Sequence, residues 1–407
     1  MKNVLIASYD MEVGGVERSL AGMLGEFQYD RFHVDLMLYR HKGEFMELLD
    51  VRAKLLNEIP AYASFRKSIR QIVFSRQLHL GMARFISKIH ARIIGSVKGI
   101  SEAGYIQQQL MWKYALPFLP KETKTYDIAI SYLWPHYFVA DKVKAKMKLA
   151  WIHTDFSTVD TIQSTDLKMW HKFDYIIAVS DACRQSFLEK YPALSNKTKV
   201  IENIMSPEFV RSMASERLDN NPMASDTRFK LLTVARLSHA KGIDNAVKAL
   251  KLLSDQGYDD IVWYIVGYGG DEVMIQSLIA EYQLEDRFIL LGKQINPYPY
   301  VQACDLYVQP SRYEGKAVTV TEAKILGKPI VITNYATANS QVVHEFDGVI
   351  SELSVEGIAN GVKRLYRDPE LRECLSKNCA EMDYGNDKEL DQLYELFESS
   401  AERGLAT

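Results

Sequence analysis

Short apolar runs, each followed by an amphipathic stretch of helical period, recur along this chain, and that alternation restricts it to parallel α/β architecture. The strand-like runs fall at residues 4–7, 33–38, 127–132, 148–152, 175–180 and 199–203, and the pattern starts again at 229–235, 262–266, 288–292, 306–308 and 329–332. At 407 residues the chain is too long for a single core, so two such domains are expected. Residues 206–227 carry Pro207, Asn220-Asn221-Pro222 and Ser225-Asp226 with little apolar periodicity, which is linker composition. The expected organisation is a first domain over 1–205 with a helical insertion at about 61–119, a linker over 206–227, and a second domain over 228–384. A final amphipathic helix lies within 385–407, with Leu390, Leu393, Leu396 and Phe397 on its inward face.

The chemistry concentrates between two apolar runs, in Pro310-Ser311-Arg312-Tyr313-Glu314-Gly315-Lys316-Ala317-Val318 and the stretch up to Lys324. A strand, loop, helix, strand reading puts Glu314 in the loop and Glu322 inside the helix. In a parallel sheet that loop lies at the carboxyl edge, where a helix start presents free N–H groups to anions. The amides of Gly315, Lys316, Ala317 and Val318 are therefore candidate phosphate ligands, with one glutamate flanking the phosphate on each side. Two solvated carboxylates on an ordinary helix would show the same spacing. Arg236 ends one strand and Lys241 starts the next helix, so the two can converge on a diphosphate, where fixed cations stabilise departing charge. A solvated, unrelated pair is the alternative. Gly14 and Gly15 form either a tight turn or a close backbone approach to a ligand, and Gly267 opens a second glycine-rich turn. His153, at a strand's carboxyl end, either faces a ligand or is capped by Asp155.

Glu314 and Glu322 with seven residues between them, followed by Ala323 and Gly327-Lys328-Pro329, resemble the donor-site motif of retaining glycosyltransferases of the GT-B fold. The resemblance is to the family 4, glycosyl transferases group 1 type, in the manner of bacterial envelope and capsule enzymes. It implies two Rossmann-like doubly wound domains facing across a cleft, and transfer of a sugar from a nucleoside diphosphate-sugar, with UDP the expected nucleotide. The acceptor hydroxyl would belong to a glycan, a polymer or a lipid-linked envelope precursor. By the same resemblance Arg236 and Lys241 neutralise the leaving diphosphate, Glu322 binds the ribose, Glu314 and His153 contact the sugar, and Gly14 and Gly15 line the cleft. The loop around Lys293 to Ile295 would hold the base, and the last helix would cross back to the first domain. The chain departs from the motif at Lys316-Ala317, where the family usually has Phe-Gly; altered donor choice or a decayed, binding-only site both follow from such a change. A UDP-sugar epimerase is a further alternative, although such enzymes lack this glutamate pair.

A net charge of −3 gives no overall attraction to nucleic acid. Cys183, Cys304, Cys374 and Cys379 are not paired as Cys-x-x-Cys, and no Asp-x-Asp occurs, so neither a metal nor a separate cofactor is expected. The first apolar run is too short for a signal peptide, so the expected location is cytoplasmic, or peripheral on the inner face of a membrane. From 65 to 99 no acidic residue occurs, while Arg66, Lys67, Arg70, Arg76, Arg84, Lys88, Arg92 and Lys98 recur. On a helix, Met82, Phe85, Ile86, Ile89 and Ile93 share one face. That helix either lies on anionic lipid or packs this face on its own domain with the cations solvated.

Overall fold

The computed structural model describes the chain apart from Val13, Arg76, Gly315 and residues 100–103, 218–220 and 404–407. Gly315, one of the expected phosphate ligands, thus lies outside the described residues. The chain divides into two compact units, Met1–Met205 together with Asn386–Thr407, and Ser206–Gly385.

The first unit is built on seven parallel strands, β1 (Lys2–Ser8), β2 (Phe32–Leu38), β3 (Lys54–Leu55), β4 (Thr125–Ser131), β5 (Lys144–Ile152), β6 (Tyr175–Ala178) and β7 (Thr198–Val200), in the order 3-2-1-4-5-6-7. Central β1 is apolar without alternation because both faces are covered: Leu5 and Ala7 enter one core layer, Val4 and Ile6 the other. The helix Glu389–Arg403 covers the second layer with Leu390, Leu393, Tyr394 and Phe397. Leu396, expected inward, is only partly buried.

The second unit repeats the plan with six parallel strands, β8 (Phe229–Val234), β9 (Ile261–Val266), β10 (Phe288–Gly292), β11 (Leu306–Gln309), β12 (Ile330–Thr333) and β13 (Val349–Ser351), in the order 10-9-8-11-12-13. Leu231, Trp263 and Val308 fill one face, and Leu232, Val262, Tyr264 and Tyr307 the other. In both sheets the strand order reverses beside the first strand, between β1 and β4 and between β8 and β11. Crevices for ligands open at the carboxyl ends of such strand pairs.

Two expectations need correction. Residues 206–227, read as a linker, carry the helix Pro207–Ala214, started by Pro207 and by the Ser206 hydroxyl accepting from the Phe209 amide. The helix is barely two turns long and buries only Val210, Met213 and Ala214, too few for the periodicity to show. The long helix Leu78–Lys98 turns Leu80, Ala83, Ser87 and Ala91 inward, onto the helix Gly104–Ala115, and leaves Met82, Phe85, Ile86, Ile89 and Ile93 exposed. Small residues let the helices approach closely, and the large ones were displaced to the outside. Nor is Arg84 solvated: it is half-buried and donates to the carbonyls of Ser64 and Phe65 at 3.3 and 3.2 Å. Among the described residues no helix is long and apolar enough to cross a membrane.

Candidate active site

After β8 the chain runs through Arg236 into a single turn, His239–Lys241, and then the helix Ile243–Asp255. Between them Gly242 has φ +65°, and a Cβ there would lie 2.0 Å from the Pro310 carbonyl oxygen, so glycine is what lets this turn lie against the loop after β11. Arg312 fastens the two loops. Its guanidinium forks onto Asp244 with two 2.7 Å hydrogen bonds, and donates to the His239 carbonyl at 2.8 Å and to Asn245 at 2.9 Å. Burial raises the Asp244 carboxyl, but the Arg312 guanidinium outweighs it and holds its pKa below the usual carboxylate range.

This join brings Lys241 to Glu314. The Lys241 ammonium donates to both carboxylate oxygens, at 2.7 and 2.6 Å, with Glu314 buried and Lys241 partly open to solvent. Glu314 Oε1 also accepts from Ser311 Oγ at 2.6 Å and from Gln309 Nε2 at 3.1 Å. Gln309 is itself oriented by the Tyr307 hydroxyl, which donates to its Oε1 at 2.9 Å. The sequence reading missed Gln309 and Ser311, although both stand at the end of the strand that delivers Glu314. Arg236 is exposed and has no hydrogen bond or ion pair with any described residue.

Glu322 is buried in the helix Val318–Ile325 and accepts a 2.8 Å hydrogen bond from the hydroxyl of Tyr298. Tyr298 begins the helix Tyr298–Ala303, and it too was missed. Of the expected phosphate amides, that of Ala317 is taken, donating to Gln341 Oε1 at 3.0 Å. The amides of Val318 and Thr319, the first two of the helix, have no partner among the described residues. Lys316 is exposed beside them. Lys293 and Ile295 follow edge strand β10; both are exposed, and the Lys293 ammonium stands 5.8 Å from the Tyr268 ring centre. Gly267, expected to admit a ligand, has φ +155°, and a Cβ there would lie 1.8 Å from the Ala235 carbonyl oxygen. It is required by the packing of the loop that carries Arg236.

In the first unit, Gly14 and Gly15 start the helix Gly15–Gly25. The Glu17 carboxylate occupies the space a side chain at Gly14 would fill, 2.3 Å from that Cβ position, so this helix start faces its own carboxylate. His153 follows β5 with its ring 4.7 Å from that of Tyr132, and neither ring nitrogen makes a hydrogen bond of ordinary geometry. Burial pushes its pKa down to about 3, so the imidazole is neutral. Asp155, the expected cap, instead accepts from the Ser157 amide at 2.9 Å. Neighbouring His136 is also neutral, with a pKa lowered to about 3 by burial and then by His153, and its Nδ1 pairs with Ser131 Oγ at 2.8 Å. Among the described residues no three His, Cys, Asp or Glu side chains cluster as a metal site.

Residues 215–382 match the glycosyl transferases group 1 family. An uncharacterized glycosyltransferase of Methanocaldococcus jannaschii, MJ1069, is 26% identical over 215 residues, which are 52% of this chain and 54% of that protein. This chain thus matches about half the length of that relative. The UDP-Gal:alpha-D-GlcNAc-diphosphoundecaprenol alpha-1,3-galactosyltransferase of Escherichia coli is 33% identical over 125 residues, 30% of this chain and 31% of that one. Among solved structures, Anabaena HepE in complex with UDP-glucose superposes with a TM-score of 0.65 at 17% identity, covering 98% of this chain and 100% of that one, a likeness of fold. The two doubly wound sheets are those of the GT-B fold, and it is the second unit, over residues 215–382, that matches the glycosyl transferases group 1 family.

Proposed function

We propose that the protein is a retaining glycosyltransferase that moves a sugar from a UDP-sugar to an acceptor hydroxyl. The observation that carries the reading is the Lys241–Glu314 pair, built together with Arg236 at the β8/β11 switch point. Lysine has three N–H donors, two of which engage Glu314, and the third is left for a diphosphate oxygen. Arg236 brings a second, uncommitted cation, and the Val318 and Thr319 amides bring the positive end of a helix. These groups stabilise the charge that grows on the diphosphate as the anomeric C–O bond breaks. The acceptor oxygen bonds to the anomeric carbon from the same face, and its proton passes to the departing phosphate oxygen. Retention follows from that geometry, and no side chain has to act as general base.

In this reading Glu314 contacts hydroxyls of the donor sugar, Glu322 binds the ribose, and Tyr298 orients Glu322. The loop at Lys293 to Ile295 is assigned to the base, and Lys316-Ala317 to the choice of sugar. The neutral imidazole of His153 is assigned a sugar hydroxyl, and Gly14 and Gly15 the approach of substrate to the first unit. UDP is favoured because HepE binds UDP-glucose and the Escherichia coli relative uses UDP-Gal. That relative's substrate is a diphosphoundecaprenol-linked sugar, which favours a lipid-linked or envelope glycan as acceptor here, met at the inner face of a membrane.

The test is nucleotide release and thermal shift across UDP-, GDP-, ADP- and TDP-sugars. Release from a UDP-sugar that is lost in Glu322→Ala supports the proposal. Stabilisation by a donor without release would make the protein a binding module, and epimerisation of the donor without acceptor would make it an epimerase.

A further inference from the structure

We infer that the helix Leu78–Lys98 is an interfacial helix that seats the first unit on an anionic lipid surface. Its packed side is made mostly of small residues, Ala83, Ser87 and Ala91, with Leu80 buried near the helix start and Ile94 partly buried, while its other large apolar side chains face solvent. Met82, Phe85, Ile86, Ile89, Ile93 and Val97 are 44–81% exposed. On a helix of 3.6 residues per turn these positions fall within an arc of about 120°, so they make one stripe rather than scattered exposure. Leu78, the first residue of the helix, is 64% exposed, and Phe74, at the end of the preceding short helix Ile69–Phe74, is 86% exposed. Exposed apolar surface of this extent marks a docking face.

Charge identifies the occupant. Lys88 and Arg92 are exposed along one flank of the stripe, Arg70 is exposed near Phe74, and none of the three has an ion-pair partner among the described residues. No acidic residue occurs between 65 and 99. A second copy of the chain docking by this face would bring the same cations together with no carboxylate on the segment to balance them. An anionic headgroup layer supplies the missing charge, and its acyl boundary takes the apolar stripe, the arrangement of a monotopic amphipathic helix. The inference does not depend on the donor chemistry proposed above, since the face is built entirely from the 69–98 segment of the first unit.

Co-sedimentation of the full chain with phosphatidylcholine vesicles, with and without phosphatidylglycerol, tests it by a readout that needs no substrate. Binding is expected to the anionic vesicles, weaker by at least about tenfold to the neutral ones, and weakened by salt. Phe85→Ser with Ile89→Ser, and separately Lys88→Glu with Arg92→Glu, should each lower anionic-vesicle binding by at least about tenfold with circular dichroism unchanged. All four side chains are exposed, so these variants should fold. A Phe85→Trp reporter should blue-shift on anionic vesicles. Equal binding to both vesicle types, no binding to either, or a solution dimer dispersed by Phe85→Ser with Ile89→Ser would each overturn the inference, the last assigning the face to a second copy.

Discussion

The Lys241 ammonium lies 2.7 and 2.6 Å from the two carboxylate oxygens of Glu314, a residue 73 positions further along the chain. Each holds the other's charge in place, and the pair exists because β8 and β11 are hydrogen-bonded neighbours. Lys241→Ala should therefore leave a buried carboxylate uncompensated. The lysine is 28% exposed, so the cost is expected at about 1–2 kcal/mol rather than the full loss of a buried pair. Activity should fall by about a hundredfold or more, as for removal of one transition-state charge partner. Glu314→Gln, which removes the charge but keeps hydrogen-bonding capacity, should cost less stability. Urea midpoints and UDP release read the two effects separately.

Tyr298→Phe removes the 2.8 Å hydrogen bond to Glu322 without changing the shape of the site. If Tyr298 positions Glu322 for the ribose, KM for the donor should rise by about tenfold, corresponding to about 1.4 kcal/mol, with kcat much less affected. A fall in kcat at constant KM would contradict that role.

Gly267→Ala places a methyl group 1.8 Å from the Ala235 carbonyl oxygen, next to Arg236. The Arg236 loop must shift, so stability is expected to drop by about 1–3 kcal/mol. Donor affinity should fall with it. Thermal denaturation and donor titration on the same preparation check both.

His136 and His153 both have folded-state pKa values lowered to about 3 from the ordinary 6.5, by burial first. A histidine with a depressed folded pKa contributes stability that is complete above pH 6.5 and is lost as pH falls from there toward 3. On going from pH 7.5 to 5.5 the wild type should lose about 1.4 kcal/mol through His136 that His136→Gln does not lose. Chemical denaturation of both proteins at the two pH values measures the difference. Parallel behaviour would mean that His136 takes up its proton equally in the folded and unfolded states, with no lowering by burial.

The strand alternation was legible because each strand of a covered parallel sheet is a continuous apolar run, as in β1 and β9. Glu314, Glu322, Arg236 and Lys241 were legible as a motif. What the motif could not convey was that Lys241 spends two donors on Glu314, or that Ala317 gives its amide to Gln341. Those contacts depend on strand neighbours and loop clamps, Arg312 on Asp244 above all. Tyr298 was invisible for the same reason, being 24 residues from the carboxylate it holds. The helix Leu78–Lys98 showed its amphipathicity plainly, but periodicity locates a stripe without saying which side is covered. Ala83, Ser87 and Ala91 took the packed side because small residues allow closer helix contact.

The central claim is sugar transfer with retention at the site of Lys241 and Glu314, and the most direct measurement needs no knowledge of the acceptor. Wild type, Lys241→Ala and Glu322→Ala are incubated with each UDP-sugar, UDP release is followed, and the anomer of the first sugar released to water is read by proton NMR. The account predicts release by wild type with the donor's anomeric configuration kept, and at least about a hundredfold less in both variants. Release of the opposite anomer, or variants as active as wild type, would contradict it.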